Sequence, residues 1–322
     1  MKASELPANC LPSRVAGDSV YLIDVGDDRL PEPLYQLSLE RLCAQADPVK
    51  VRLPLSRLTS IADGEGLPGP RGLIVHTGRC GSTLLANMLG AHPAVRMIHE
   101  PAALNQILVD GGSASAVSAV LRAFGRGLPP AAAVLVKSTN WNVLELRRML
   151  ADFPQASAIF LWRPAVDVVA SCLDVAPPWE KWQDDPAVRE RWYPHDPADG
   201  TDPADMTNPT EFYAHAWRVS VAAALGAARE FGDRVKVMSY AELRADPGAM
   251  AAASARHFRL PVAPDLVARM TEHTARYSKN PSVLFDPAGA HSRRQLTASQ
   301  RDVVERMTGR LQAELDQARN RI

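Results

Sequence analysis

The sequence predicts an α/β protein of three layers, αβα, built on a mainly parallel, doubly wound sheet and preceded by a small N-terminal extension. Three observations lead there. From Gly72 onward, strand-length apolar runs alternate with helical stretches, and the right-handed crossovers that such alternation demands give a parallel sheet. The apolar run "GLIV" leads into a glycine-bearing turn and then a helix, "HTGRCGSTLLANML" (His76 to Leu89). Finally, 322 residues, 46% of them hydrophobic and 22% charged, suffice to bury such a core.

In order along the chain, residues 1 to about 70 hold a strand "SVYLIDV", a helix "PLYQLSLERLCAQ" and a strand "VKVRLPL", closed by the Gly/Pro-rich link "DGEGLPGPRG". These form the extension. The main domain, 71–322, continues with "GLIV", a helix after Ser82, the strand "VRMI", helices from about 101 to 127, and the strand "AVLVK". A helix "NVLELRRMLADF", the strand "SAIFLW" and a helix "VDVVASCL" come next. Residues 174 to 210, rich in Pro, Asp and Trp and without periodicity, are expected to form a lid insertion. A long helix "EFYAHAWRVSVAAALGAAREF", the strand "RVKVMSY", a helix from Ala241 to about Phe258 and one from Ala298 to about Ala318 complete the pattern.

Thirty-six basic residues balance thirty-six acidic ones, so no net field draws the chain to nucleic acid or an anionic membrane. Any anion site is local. The opening "MKASELPANCLPSRV" has no apolar core of signal-peptide length, so no secretion signal is expected in it, and the longest helical apolar run, "VSVAAALGAA", stops at Arg218 and Arg229, far short of a bilayer span. Cys10, Cys43, Cys80 and Cys172 lie far apart without CxxC spacing, as expected for reduced thiols in a cytoplasm.

After "GLIV", the glycines turn backbone N–H groups inward and the helix N-terminus adds its positive dipole end, an arrangement that cradles an anion. A Walker loop needs GxxxxGK before Ser or Thr. Here His76 stands at its first Gly and Ser82 at its Lys. A magnesium-bridged β,γ-phosphate site is disfavoured, and a single 5′-phosphate, requiring no metal, is expected. The plain alternative is a helix start capped by Ser82 or Thr83. A second segment, "SAIFLWRPAVDVVASCL", delivers Arg163 at a strand's carboxyl end, with Ser171 two helical turns on. A guanidinium fork and a hydroxyl there suit a second phosphate at the same sheet edge.

These segments resemble the sulfotransferases that use 3′-phosphoadenylyl sulfate (PAPS), in pattern closest to the carbohydrate and tyrosylprotein branch. "TGRCGSTLL" is similar to their 5′-phosphosulfate loop, which implies donor contacts from Arg79, Cys80, Gly81, Ser82, Thr83 and Leu84. "FLWRPAVDVVASCL" resembles their 3′-phosphate segment and implies that Arg163 and Ser171 hold that phosphate. "VLVKSTN" resembles their lysine-bearing strand end, and "VMSYAELRADPGAM" their tyrosine segment near the adenine, implying Tyr240. Ala241 stands where that segment usually has Glu, and the family's C-terminal "RKG"-like stretch is absent as such, leaving Arg293 and Arg294 in "HSRRQ".

The resemblance, from about 72 to 320, implies sulfuryl transfer to an acceptor hydroxyl, the acceptor being a small molecule or carbohydrate-like. Such a transfer needs in-line positioning, cations and a base. Arg79 would stabilise the departing 5′-phosphate and Lys137 would reach the sulfuryl oxygens; the plain alternative for Lys137 is a solvated strand-end lysine. Glu100, 21 positions beyond Arg79, resembles the family's catalytic Glu in placement, its alternative being a carboxylate favourable to the next helix. Neighbouring His99 is the second choice of base. A P-loop nucleotide kinase and a non-catalytic nucleotide-binding protein are the competing functions. Trp179, Trp182, Trp192 and Tyr193 either stack on an acceptor or anchor the lid. Asp196, Asp199, Asp202 and Asp205 read as a solvated loop, and His195, His215 and His291 lack ligand spacing.

Overall fold

The computed structural model describes residues 6–180, 185–193, 206, 208–284, 295–318 and 321–322. Its centre is a wholly parallel sheet of five strands: β4 (Gly72–His76), β5 (Val95–His99), β6 (Ala133–Lys137), β7 (Ser157–Trp162) and β8 (Val235–Ser239). Their order across the sheet is β5-β6-β4-β7-β8. Each has the length and apolarity of a strand buried on both faces. Alternate residues divide between two cores: Leu73 and Val75 of β4 belong to one, Ile74 to the other. The same division repeats along β7, with Ala158 and Phe160 on one face and Ile159 and Leu161 on the opposite one. Helices cover both faces, so the three-layer αβα class expected from the alternation is the architecture observed.

The face of β4 that carries Leu73 and Val75 is covered by the long helix Pro209–Phe231 and by Ala298–Asp316, among others. The opposite face packs against the helices Ser82–Gly90, Pro247–His257 and Pro264–Glu272. Trp217, fully buried in the long helix, donates its indole N–H to the carbonyl of Arg163 at 2.9 Å, fixing the turn after β7. Full burial of one large apolar side chain stabilises a fold by about 1.5 to 3 kcal/mol.

The N-terminal residues form a three-stranded antiparallel sheet, β1 (Cys10–Ala16), β2 (Ser19–Asp24) and β3 (Lys50–Pro54). Leu11, Val15, Val20 and Leu22 share a hydrophobic cluster with the main sheet. Strand β1 and the helix Leu55–Gly64 go beyond the sequence pattern; the short "CLPSRVA" holds a proline that obscures its alternation. The expected helix from Ala241 to Phe258 is two, Tyr240–Ala245 and Pro247–His257, because Pro247 cannot continue the first and Asp246 caps the second. The stretch 142–153 begins instead as a 3₁₀ turn over Asn140–Glu145 and becomes α-helical over Leu146–Asp152. A two-stranded hairpin, β9 (Arg276–Tyr277) with β10 (Asn280–Leu284), likewise has no counterpart in the sequence pattern. Much of the expected lid falls outside the described residues, as do Arg293 and Arg294.

Candidate active site

A cavity of about 270 Å³ opens at the carboxyl edge of the parallel sheet, where ligands of such sheets bind. The loop after β4 forms its floor. Gly78 and Gly81 have φ of 80° and 81°, and non-glycine Arg79 is also left-handed at 53°. A Cβ on Gly81 would meet the Tyr240 ring at 2.8 Å, so that position needs glycine for space as well as conformation. Gly81 is the N-cap of the helix Ser82–Gly90, and no side chain caps it. The alternative, that Ser82 or Thr83 merely caps the helix, is therefore not met, and the first turn is left without a side-chain cap. The loop is stapled by His76: its Nδ1 accepts from the Gly78 N–H at 2.9 Å and its Nε2 lies 2.9 Å from the Ser138 carbonyl. Burial, with Lys137 nearby, holds this imidazole well below its ordinary pKa and thus neutral.

Strand register brings a carboxylate and a lysine together. In the parallel β5–β6 ladder His99 lies opposite Lys137, so Glu100, one residue on, emerges at the end of β6. Its N–H donates to the Lys137 carbonyl at 2.7 Å, and the Lys137 ammonium donates to its carboxylate. Lys137 is 1% exposed, which rules out a solvated strand-end lysine; a buried ammonium demands a partner. Glu100 has φ 48°, a strained conformation for a non-glycine residue of the kind that clusters at functional sites. Its carboxylate faces Lys137 and the cavity, whereas the next helix, Ala102–Val109, starts at Pro101 with no side-chain cap.

On the far side, Arg163 stands just after β7, buried rather than a surface arginine. Its Nε donates to Asp167 at 3.2 Å, its Nη1 to the Arg79 carbonyl at 3.4 Å, and its guanidinium lies 5.0 Å from the Tyr240 ring centre. Arg79 itself donates to the Val175 carbonyl at 2.5 Å.

Arg79, Cys80, Gly81, Ser82, Thr83, Leu84, Glu100, Lys137, Arg163, Ser171 and Tyr240 all line this one cavity. His99 does not. It is buried, burial and Lys137 push its pKa down to about 3, and its Nδ1 has no hydrogen-bond partner among the described residues. Trp179 lines the cavity, but Trp192 and Tyr193 are core residues, with Tyr193 packed on Trp179 and Phe212. Trp182, His195, His291 and Asp196, Asp199, Asp202 and Asp205 lie outside the described residues, and His215 is buried against the Tyr193 carbonyl. Sequence reasoning missed Thr139, Asn140, Arg244, Arg276 and Lys279 in the lining. Thr139 and Asn140 stand within the quoted lysine segment, whereas Arg276 and Lys279 belong to a hairpin with no motif.

No protein-family model matches the chain, and no curated protein matches it. Solved structures do. Sulfotransferase STF9 from Mycobacterium avium superposes with a TM-score of 0.52 at 14% identity, covering 83% of this chain and 81% of that one. A sulfotransferase from Alicyclobacillus acidocaldarius gives 0.47 at 15% identity over 79% and 96% of the two chains. Mouse sulfotransferase SULT7A1, complexed with PAP, gives 0.43 at 13% over 79% and 88%. At such identity the first of these likenesses speaks for the fold, and the fold of this chain is that of the sulfotransferases.

Proposed function

We propose that the protein is a PAPS-dependent sulfotransferase acting on the hydroxyl of a small-molecule or carbohydrate-like acceptor, without a metal and in the cytoplasm. The observation that carries this reading is a buried Lys137 paired with the half-buried Glu100 beside an uncapped glycine loop, Arg79 and Arg163, all in one cavity. The lining suits a doubly anionic nucleotide: Gly81 leaves room beneath Tyr240, and Arg163 is held against the same ring. Among the described residues that line the cavity, Glu100 is the one carboxylate. No helix among the described residues is long and apolar enough to cross a membrane.

PAPS supplies an activated sulfuryl group whose leaving group is adenosine 3′,5′-bisphosphate. The loop amides and Arg79 hold the 5′-phosphate and stabilise the charge it gains as its bond to sulfur breaks. Arg163 and Ser171 grip the 3′-phosphate, and Tyr240 supports the guanidinium from below. Lys137 turns from Glu100 to the sulfuryl oxygens, which frees the carboxylate. Glu100 then takes the acceptor's proton as the acceptor oxygen bonds to sulfur. His99 is poorly suited to that task, being outside the cavity lining and held neutral down to a pH of about 3.

Thermal unfolding with nucleotides tests the reading, since a ligand bound only by the native state raises the melting temperature. Adenosine 3′,5′-bisphosphate without magnesium is expected to stabilise the protein more than ATP, GTP or AMP. Stabilisation by ATP with magnesium, and none by the bisphosphate, would overturn it in favour of a kinase.

A further inference from the structure

A second cavity, of about 470 Å³, lies at the amino-terminal edge of the parallel sheet, the end opposite the candidate active site. Residues 93–96, leading into β5, and 127–132, leading into β6, form two of its walls, and Asn9 with residues 26–29 of the N-terminal extension closes it. Its size is that of a small-molecule site. Arg96 stands in its wall and is only 8% exposed. Its Nη1 donates to the carbonyls of Phe124 at 3.0 Å and Arg126 at 2.6 Å, and its Nη2 to Asn9 Oδ1 at 3.2 Å. A guanidinium has five N–H donors, and Nε donates to nothing among the described residues; no carboxylate among them pairs with this cation. A neighbouring buried arginine is treated differently: Arg126 pairs with Glu65 at 3.0 Å. Carbonyl dipoles offset only part of the cost of burying a full charge, and an anion in the cavity would supply the rest.

The surroundings of Arg96 are built. Gly127 has φ 72°, and a Cβ there would fall 1.9 Å from Asn9 Oδ1, so glycine is what lets Asn9 approach the guanidinium. At the rim Arg29, also without a carboxylate partner among the described residues, donates to the carbonyls of Gly90 at 3.3 Å and His92 at 2.9 Å. Two acids share this rim. Asp28 is held by Arg41, whereas exposed Asp27 has no ion pair among the described residues. A free carboxylate in the wall opposes a multiply charged anion such as phosphate more than a singly charged one. A planar carboxylate also matches the N–H donors along one guanidinium edge. Pro93, Ala94, Leu128, Pro129 and Ala131 supply apolar wall for the rest of a ligand.

We propose that this cavity binds a small monocarboxylate with an apolar body, its carboxylate on Arg96, and that the N-terminal extension completes this second site through Asn9 and residues 26–29. The assignment holds whichever reaction the cavity at the carboxyl edge performs.

The test is ligand-observed NMR titration of the full chain with hexanoate and benzoate, beside acetate, which lacks the apolar body, and benzamide, which lacks the charge. Hexanoate or benzoate is expected to bind saturably, and acetate and benzamide at least about 10-fold more weakly, the scale of a hydrogen bond to a charged group. Arg96→Lys keeps the charge and loses the fork, so it should weaken the carboxylate by a similar factor. Should that buried substitution unfold the protein, Ala131→Trp decides instead: it fills the cavity from an exposed wall position and should abolish binding. Arg163→Ala, in the other cavity, should bind the carboxylate as wild type does. The assignment is overturned if wild type binds neither hexanoate nor benzoate, if benzamide binds as tightly as benzoate, if folded Arg96→Lys or Ala131→Trp binds normally, or if Arg163→Ala removes binding.

Discussion

The strands on either side of β4 each end in a buried cation, and the two are held differently. At the end of β6, Lys137 is closed onto Glu100, a carboxylate delivered by the neighbouring strand β5. At the end of β7, Arg163 reaches Asp167, half-exposed and four residues along on the next helix, and lies over the Tyr240 ring. The first arrangement must open for a ligand to engage the lysine, and opening it frees a carboxylate, the base of the proposed reaction. The second leaves guanidinium N–H groups for an anion while the ring and helix keep the side chain in place. On the proposed reading, the β6 end does the chemistry and the β7 end the binding.

The largest expected effect belongs to the β6 end. Glu100→Gln keeps the shape and removes the base, so single-turnover transfer from PAPS should fall by about 10²- to 10⁴-fold, with bisphosphate affinity by calorimetry nearly unchanged. Near-normal transfer by Glu100→Gln would break the distinction between the two ends.

At the β7 end the signature should reverse. Arg163→Ala is expected to weaken adenosine 3′,5′-bisphosphate by about 1.5 to 3 kcal/mol and adenosine 5′-phosphate hardly at all, measured by the same titration. Equal losses for both nucleotides would make Arg163 a support of the fold rather than a phosphate ligand.

The smallest effect sharpens the contrast through pH. His99, next to the β6 end, has a pKa of about 3 in the folded protein against an ordinary value of 6.5. With a depressed folded pKa, the unfolded chain binds the proton first, so stability is full above pH about 6.5 and declines as pH falls toward about 3. The slope from this one group approaches about 1.4 kcal/mol per pH unit. Urea melts at pH 7 and pH 5 should show His99→Gln losing less stability on acidification than wild type. An identical acid slope in the two proteins would mean that His99 is not the neutral buried group described.

The glycine loop, Arg163 with Ser171, and the strand-end Lys137 were legible because their signals are local: an apolar run sets a strand, and the residues just beyond it stand at the carboxyl edge. Pro247 and Asp246 carry a local signal as well, a helix break, which the helical periodicity on either side of them masks. The burial of Trp192 and Tyr193 was not legible, because composition does not say which face of an aromatic meets the core. Lys279 and Arg276 were invisible for a stronger reason. Their hairpin reaches the cavity through the Asn87 bond to Ser278, a contact between distant parts of the chain with no counterpart in spacing or periodicity.

By itself, the sequence determined the parallel αβα class, because alternating strand and helix periods leave few other ways to bury both faces of the strands. It also determined that a glycine turn stands between β4 and the next helix, because Gly78 and Gly81 permit left-handed backbone that other residues resist. Only the tertiary structure decided that Glu100 and Lys137 form one ion pair. Thirty-seven residues separate them, and it is the parallel register of β5 on β6, set by which apolar residues fill each face of the sheet, that brings a carboxylate and a buried ammonium together.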